Sequence, residues 1–120
     1  MKRLLIVLST IALALPSVGC GAHVTFTKAG NACSPRSDGC AVEVITPRPN
    51  RDYQVVGVVD IEAFSVRRIP NDEESFRELV RPEACRAGGD AVIPGINGDG
   101  RYIQATVVKW VDSAAPGPAC

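Results

Sequence analysis

The stretch from Tyr53 to Phe64, Tyr-Gln-Val-Val-Gly-Val-Val-Asp-Ile-Glu-Ala-Phe, is nearly continuous in apolar and β-branched residues. Such a run is a central strand covered on at least one face, with Gly57 marking a bulge. A second layer must therefore lie against it. Upstream, Ala41 to Thr46 reads as a first strand at a sheet edge, because Pro47 and Pro49 that follow cannot donate to a ladder.

The covering layer is announced between residues 70 and 89. Pro70 stops the preceding segment and Asn71 is placed to cap a helix, with Glu74 spaced to complete a capping box. Asp72, Glu73 and Glu74 load the first turn, where the helix dipole favours anions. Phe76, Leu79 and Val80 form one apolar face, continued by Ala84 and Ala87. Pro82 cannot donate to the carbonyl of Glu78, so the helix is expected to kink there or to restart with Pro82 in its first turn. Gly88-Gly89 supplies the stop. Asp90 to Ile93 is then a short strand, Asn97-Gly98-Asp99-Gly100 a tight turn, and Arg101 to Val111 a final strand. The expectation is an α+β fold, order β-β-α-β-β, with one helix on one face of a small, mostly antiparallel sheet.

The chain has 120 residues with 13 basic and 13 acidic side chains, which suits one small domain. Balanced charge leaves no basic footprint for phosphates. The aromatics Phe26, Tyr53, Phe64, Phe76, Tyr102 and Trp110 are too scattered for a base-stacking platform, so nucleic acid is not an expected partner.

The first residues read as an address. Lys2 and Arg3 precede Leu4 to Leu15, where only Ser9 and Thr10 are not apolar, and Pro16 then leads to Ser17-Val18-Gly19-Cys20. A spanning helix needs roughly 20 apolar residues, and this run stops short of that at a proline, so 1–19 is expected to be a signal peptide. Small side chains at Ser17 and Gly19 suit a signal peptidase pocket. The segment resembles the bacterial lipobox, Leu-Ala-Gly-Cys, with Ser17 where Leu is preferred. That resemblance implies cleavage between Gly19 and Cys20 and a lipid on the Cys20 sulfur. It also implies placement on the periplasmic face of the outer membrane, since Gly21 rather than Asp follows the cysteine. Cleavage would leave 11 basic against 13 acidic residues. Residues 20–39, rich in small residues and breakers apart from the short Val24-Thr25-Phe26-Thr27 run, are expected to form a tether. Residues 40–112 would form the domain, and 113–120 a breaker-rich tail tied down by Cys120.

Export would place the cysteines in an oxidising compartment. With Cys20 set aside, Cys33, Cys40, Cys85 and Cys120 are disulfide candidates, and their three pairings cannot be separated by sequence. A local Cys33–Cys40 loop, leaving Cys85–Cys120, is one plausible arrangement. The even remainder also favours another use for Cys20. A zinc site from His23, Cys33 and Cys40 has no familiar spacing, and no Cys-x-x-Cys redox pair exists, so neither metal nor cofactor is expected.

The segment Ala84-Cys85-Arg86-Ala87-Gly88-Gly89-Asp90-Ala91-Val92-Ile93 resembles the helix-end-to-strand segment of the YbjQ-like superfamily, which includes the lipoprotein stress sensor of the Rcs phosphorelay. In that group a strand ending near a Gly-Val pair precedes a helix. The helix finishes in Ala-x-x-(Gly or Asn)-Ala-(Asp or Asn)-Ala-Val, and a hairpin follows. Val56-Gly57-Val58, the helix and the hairpin to Val111 occur here in that order, so the resemblance spans Cys40 to Val111. It implies a related fold and, since the superfamily includes ring-formers, a capacity to form oligomers.

Catalytic residues are not expected. The single histidine, His23, falls in the presumed tether, and the serines after the leader (Ser34, Ser37, Ser65, Ser75, Ser113) sit in no Gly-x-Ser-x-Gly elbow or Ser-x-x-Lys pair. Asp72-Glu73-Glu74 is explained by the helix start rather than by glycosidic cleavage. Asn97 to Gly100 resembles part of a calcium loop but lacks the following acidic ligand. The reading is a non-enzymatic, lipid-anchored envelope domain that binds or senses another envelope component. The surface strands and the Arg67-Arg68 pair are the expected contact region for a protein partner. The alternative is a structural or self-assembling envelope protein.

Overall fold

The computed structural model of the chain describes residues 21–30, 33–45 and 49–111. The leader, Cys20, the 113–120 tail and Cys120 lie outside the described residues. The elements are β1 (His23–Lys28), β2 (Glu43–Val44), β3 (Tyr53–Glu62), a short 3-10 turn (Val66–Arg68), α1 (Glu73–Arg86), β4 (Ala91–Ile96) and β5 (Tyr102–Trp110). They form one five-stranded sheet of order β1-β3-β5-β4-β2, mixed but mostly antiparallel, with a single helix. The α+β class and the helix between two groups of strands are therefore as expected. The order β-β-α-β-β is corrected to β-β-β-α-β-β.

The additional strand lies within the segment expected to be a tether. In β1, Val24 and Phe26 alternate with His23, Thr25 and Thr27, the period of a half-buried strand. It pairs antiparallel with β3 from His23↔Glu62 to Lys28↔Gly57. Val24 and Phe26 pack on the core, and the Phe26 ring occupies the space a β-carbon on Gly57 would need. The short alternating run thus prevails over the breaker-rich composition around it because a long central strand is there to receive it.

Helix α1 begins one residue later than the sequence pattern suggests. Asp72, not Asn71, is the N-cap, and its Oδ2 accepts from the Ser75 amide at 2.9 Å, so the box with Glu74 is replaced by a simple Asp cap. The helix runs unbroken through Pro82 rather than restarting there. Packing of Phe76, Val80, Ala84 and Cys85, all fully buried, continues on both sides of the proline. Phe76 stacks on Tyr102 of β5 with ring centroids 4.7 Å apart. At the C-terminus, Gly88 adopts φ 79° and donates to the Cys85 carbonyl, while Gly89 donates to that of Ala84. These are the two bonds of a Schellman motif, and the left-handed residue is glycine.

The sheet carries two irregularities, one in β3 and one where Ile103 of β5 is skipped between Gly95↔Gln104 and Ile96↔Tyr102. Val55 pairs with Val108 and Gly57 with Val107, so Val56 is the extra residue of a bulge. β2 is only two residues long and runs parallel to β4, shorter than the Ala41–Thr46 expectation but at the edge as expected. β4 continues past Ile93 through Pro94. Beyond Val92 no described residue pairs with it on its β2 side, so among the described residues the missing amide proton costs no ladder bond there. The Asn97–Gly100 segment is a turn, with Asn97 Oδ1 accepting from Asp99 N and Arg101 N.

Candidate functional site

The strands run between two differently built ends. At one end α1 stops, β4 starts and β5 finishes, and this end is fastened. Cys40 and Cys85 form a disulfide across 45 residues of sequence, joining the segment before β2 to the last turn of α1. Cys33 is also disulfide-bonded, its partner lying outside the described residues. The local Cys33–Cys40 loop is therefore corrected, together with the Cys85–Cys120 pairing it would have left. Cys85 is completely buried on the core face of α1, where it meets the incoming chain rather than the tail.

Around this staple, polar groups are spent on backbone. The Arg36 guanidinium donates to the Gly89 carbonyl at 2.9 Å and lies 3.4 Å from Asp90 Oδ1. Asp90 Oδ2 accepts from the Trp110 amide at 3.0 Å and faces Lys109 Nζ at 3.6 Å. Gly88 and Gly89 leave no room for side chains, since β-carbons there would run into Cys33, Ser34 and Val107. The Gly-Gly-Asp segment singled out by the sequence is thus a fitted corner, with Arg36, Asp90 and Lys109 as its clamps. Sequence reasoning missed Arg36, because its partner lies 54 residues away.

At the opposite end β1 begins, β3 finishes and α1 starts. Here the chain leaves β3 at Glu62, makes an exposed excursion through Phe64 and the 3-10 turn, and returns at Pro70 to the α1 cap. Phe64 is 108% exposed and Val66 60%. Arg67 and Arg68 are exposed, and neither enters an ion pair with any described residue. They line a shallow groove of about 420 Å³ together with Gly21, Ala22, Asp72 and Leu79. The Arg pair is therefore brought next to the very start of the described chain. Sequence reasoning placed Phe64 in the strand; its position beyond the ladder, beside two arginines and before Pro70, is the signal that marks it as a loop tip.

Several other polar and ionic groups at this end are engaged. Arg101 donates to the Ile69 carbonyl at 3.0 Å. Asp72 is held below the usual carboxylate range by the Ser75 amide hydrogen bond and then by the Ser75 hydroxyl, with burial opposing slightly. His23 stands 3.4 Å from Glu62, both side chains exposed. Among the described residues no three His, Cys, Asp or Glu side chains are grouped to hold a metal, and no helix is long and apolar enough to cross a membrane.

No protein-family model matches the chain, and neither curated proteins nor solved structures give a match.

Proposed function

We propose that the chain is an exported, lipid-anchored domain without catalytic machinery, held at the periplasmic face of the outer membrane, where it binds or senses another envelope component. The observation that carries this reading is the distance between the two ends. Gly21 lies beside the α1 N-terminus, whereas Cys33 abuts Gly88 at the α1 C-terminus. The helix between them spans about 20 Å at 1.5 Å per residue. A disulfide needs Cα atoms within about 7 Å, so Cys20, bonded directly to Gly21, is out of reach of Cys33. Cys40 and Cys85 are already joined to each other. On this reading Cys33 pairs with Cys120, and the Cys20 sulfur carries the lipid that the lipobox resemblance implies. A stapled small domain also fits an oxidising compartment.

The exposed Arg67-Arg68 end and the surface strands supply the contact region. The self-assembling alternative is supported by the two edge strands, β1 and β2, on whose outer sides no described strand pairs. One experiment separates the readings: in-cell cross-linking and pull-down of the native protein beside a Cys20→Ala form, with intact-mass analysis. The expected result is acyl mass on Cys20, two disulfides, and one defined partner captured by a monomer. A concentration-dependent multimer in sedimentation favours the alternative, and a native N-terminus without lipid refutes the anchor.

A further inference from the structure

The lipid-anchored reading leaves open what the Arg67-Arg68 end meets. Resting on that reading, we propose that the Phe64–Arg68 tip docks on the anionic headgroup layer of the same bilayer that holds the acyl chains of Cys20.

Three observations converge on this surface. The first is position. Gly21 lines the same groove as Arg67 and Arg68, so a lipid on the residue bonded to it would be attached within one peptide unit, about 3.8 Å, of the surface beside the tip. A domain tethered that closely cannot stand away from the bilayer, and the surface around Gly21 is the one pressed toward it. The second is exposure. The Phe64 ring and the Val66 side chain project at 108% and 60% relative exposure, although the buried Ile61 precedes Phe64 by only three residues. An aromatic ring and a branched aliphatic at a loop tip suit the headgroup-acyl boundary, where apolar faces are buried by shallow insertion. The third is charge. Arg67 and Arg68 are without ion-pair partners among the described residues, while Arg101, Asp72 and the His23–Glu62 pair beside them are engaged. Basic residues next to an anchor gain affinity from anionic lipid, and their alkyl stems lie along the interface. Of the two contact surfaces, this tip then meets lipid and the surface strands are left to a protein partner, which at the tip would have to fit between the domain and the bilayer. The docked molecule therefore stands with its strands directed away from the membrane and its disulfide end outward.

The protein carries its own control. Trp110 pairs with Tyr53 at the far end of the sheet and is the chain's one tryptophan. The full chain, expressed with its leader and purified from membranes, is verified by intact mass. It is then reconstituted into phosphatidylcholine vesicles with or without phosphatidylglycerol, with bromine on the acyl chains as quencher. Emission from Trp110 is expected to be unaffected, whereas a Phe64→Trp, Trp110→Phe variant is strongly quenched. Quenching is expected to be greater with phosphatidylglycerol. Reversing Arg67 and Arg68 to Glu should weaken docking by at least about fivefold per arginine, and quenching should fall accordingly. An acylated protein whose residue 64 is no more quenched than Trp110 overturns the docking proposal and leaves the anchor intact; the tip then faces water or a protein. Quenching that ignores both lipid charge and arginine reversal also overturns it. A chain without acyl mass overturns the anchor and the docking together.

Discussion

The two ends of this sheet are built on opposite principles. The α1–β4 end is crowded with constraints that name one another. A disulfide joins α1 to the chain before β2, two glycines admit the close approach of the 33–34 segment and β5, and Asp90 ties Trp110, Lys109 and Arg36 together. The β3–α1 end spends a Phe, a Val and two Arg on solvent, with little holding them beyond the backbone bonds of one 3-10 turn. A small domain needs extra constraints somewhere, and this one concentrates them at the α1–β4 end. The contrast teaches that chemically conspicuous residues sort by how many partners they have: Cys85 and Asp90 are conspicuous and structural, while Arg67 and Arg68 are conspicuous and claimed by no described residue.

The sharpest way to break this comparison is to release the staple. The Cys40→Ala, Cys85→Ala double variant removes a link across 45 residues, which restricts the unfolded chain by about 4 kcal/mol in the entropic account. Urea unfolding under oxidising conditions is expected to show a loss of unfolding free energy of that order. A shift below about 1 kcal/mol would mean that packing of α1 already fixes this end without the bond.

A smaller effect is expected from the corner carboxylate. Asp90→Ala deprives the Trp110 amide of its acceptor and leaves Arg36 and Lys109 facing each other without an anion between them. Hydrogen bonds to charged groups are worth about 1.5–3 kcal/mol, and partial exposure of this carboxylate places the loss toward the lower figure. Asp90→Asn should recover part of it by preserving an acceptor for the amide. Thermal or urea unfolding of the three proteins checks the order.

The order of effects also indicates what the sequence could reveal. The long central strand, the apolar face of α1, the Gly88-Gly89 stop and the Asn97–Gly100 turn are local signals, carried by contiguous residues, and each is found where the pattern puts it, save that the strand ends at Glu62, two residues before Phe64. The Asn71 cap is displaced by one position because Asp72 presents an equally suitable carboxylate one residue closer to Ser75. What is not legible is whatever depends on a distant partner. β1 becomes a strand only because β3 accepts it, Cys85 chooses Cys40 only because the 33–42 segment crosses the end of α1, and Arg36 becomes a clamp only through Gly89 and Asp90. The Arg67-Arg68 pair was visible as sequence, but its placement beside Gly21 required the fold.

The α1 cap lies on the border between the two regimes and gives a pH-dependent effect. Asp72 is ionised more readily in the folded protein than its ordinary value of 3.8, owing to the Ser75 hydrogen bonds. A depressed folded value means that the stabilisation is fully present above the unfolded value and is lost as pH falls through the folded one. Acid titration of stability should therefore be shallower in Asp72→Asn than in the native chain below pH 3.8, with the two converging in shape at neutral pH, because Asn still caps. Identical acid profiles would show that the cap bond does not discriminate between ionisation states.

The smallest expected effect is the one that makes the comparison decisive. Replacing Phe64, Arg67 and Arg68 together by Ser removes an exposed ring and two cations that take part in no ion pair with a described residue, so folding stability should change by no more than about 0.5 kcal/mol. A gain is as plausible as a loss, since a fully exposed aromatic contributes nothing to the core. If unfolding instead shifts by 2 kcal/mol or more, comparable to core damage, the tip is part of the scaffold and its exposure has been misread. An unchanged midpoint, with Tyr102 still stacked on Phe76 by near-ultraviolet circular dichroism, leaves interaction with something outside the domain as the use of these three side chains.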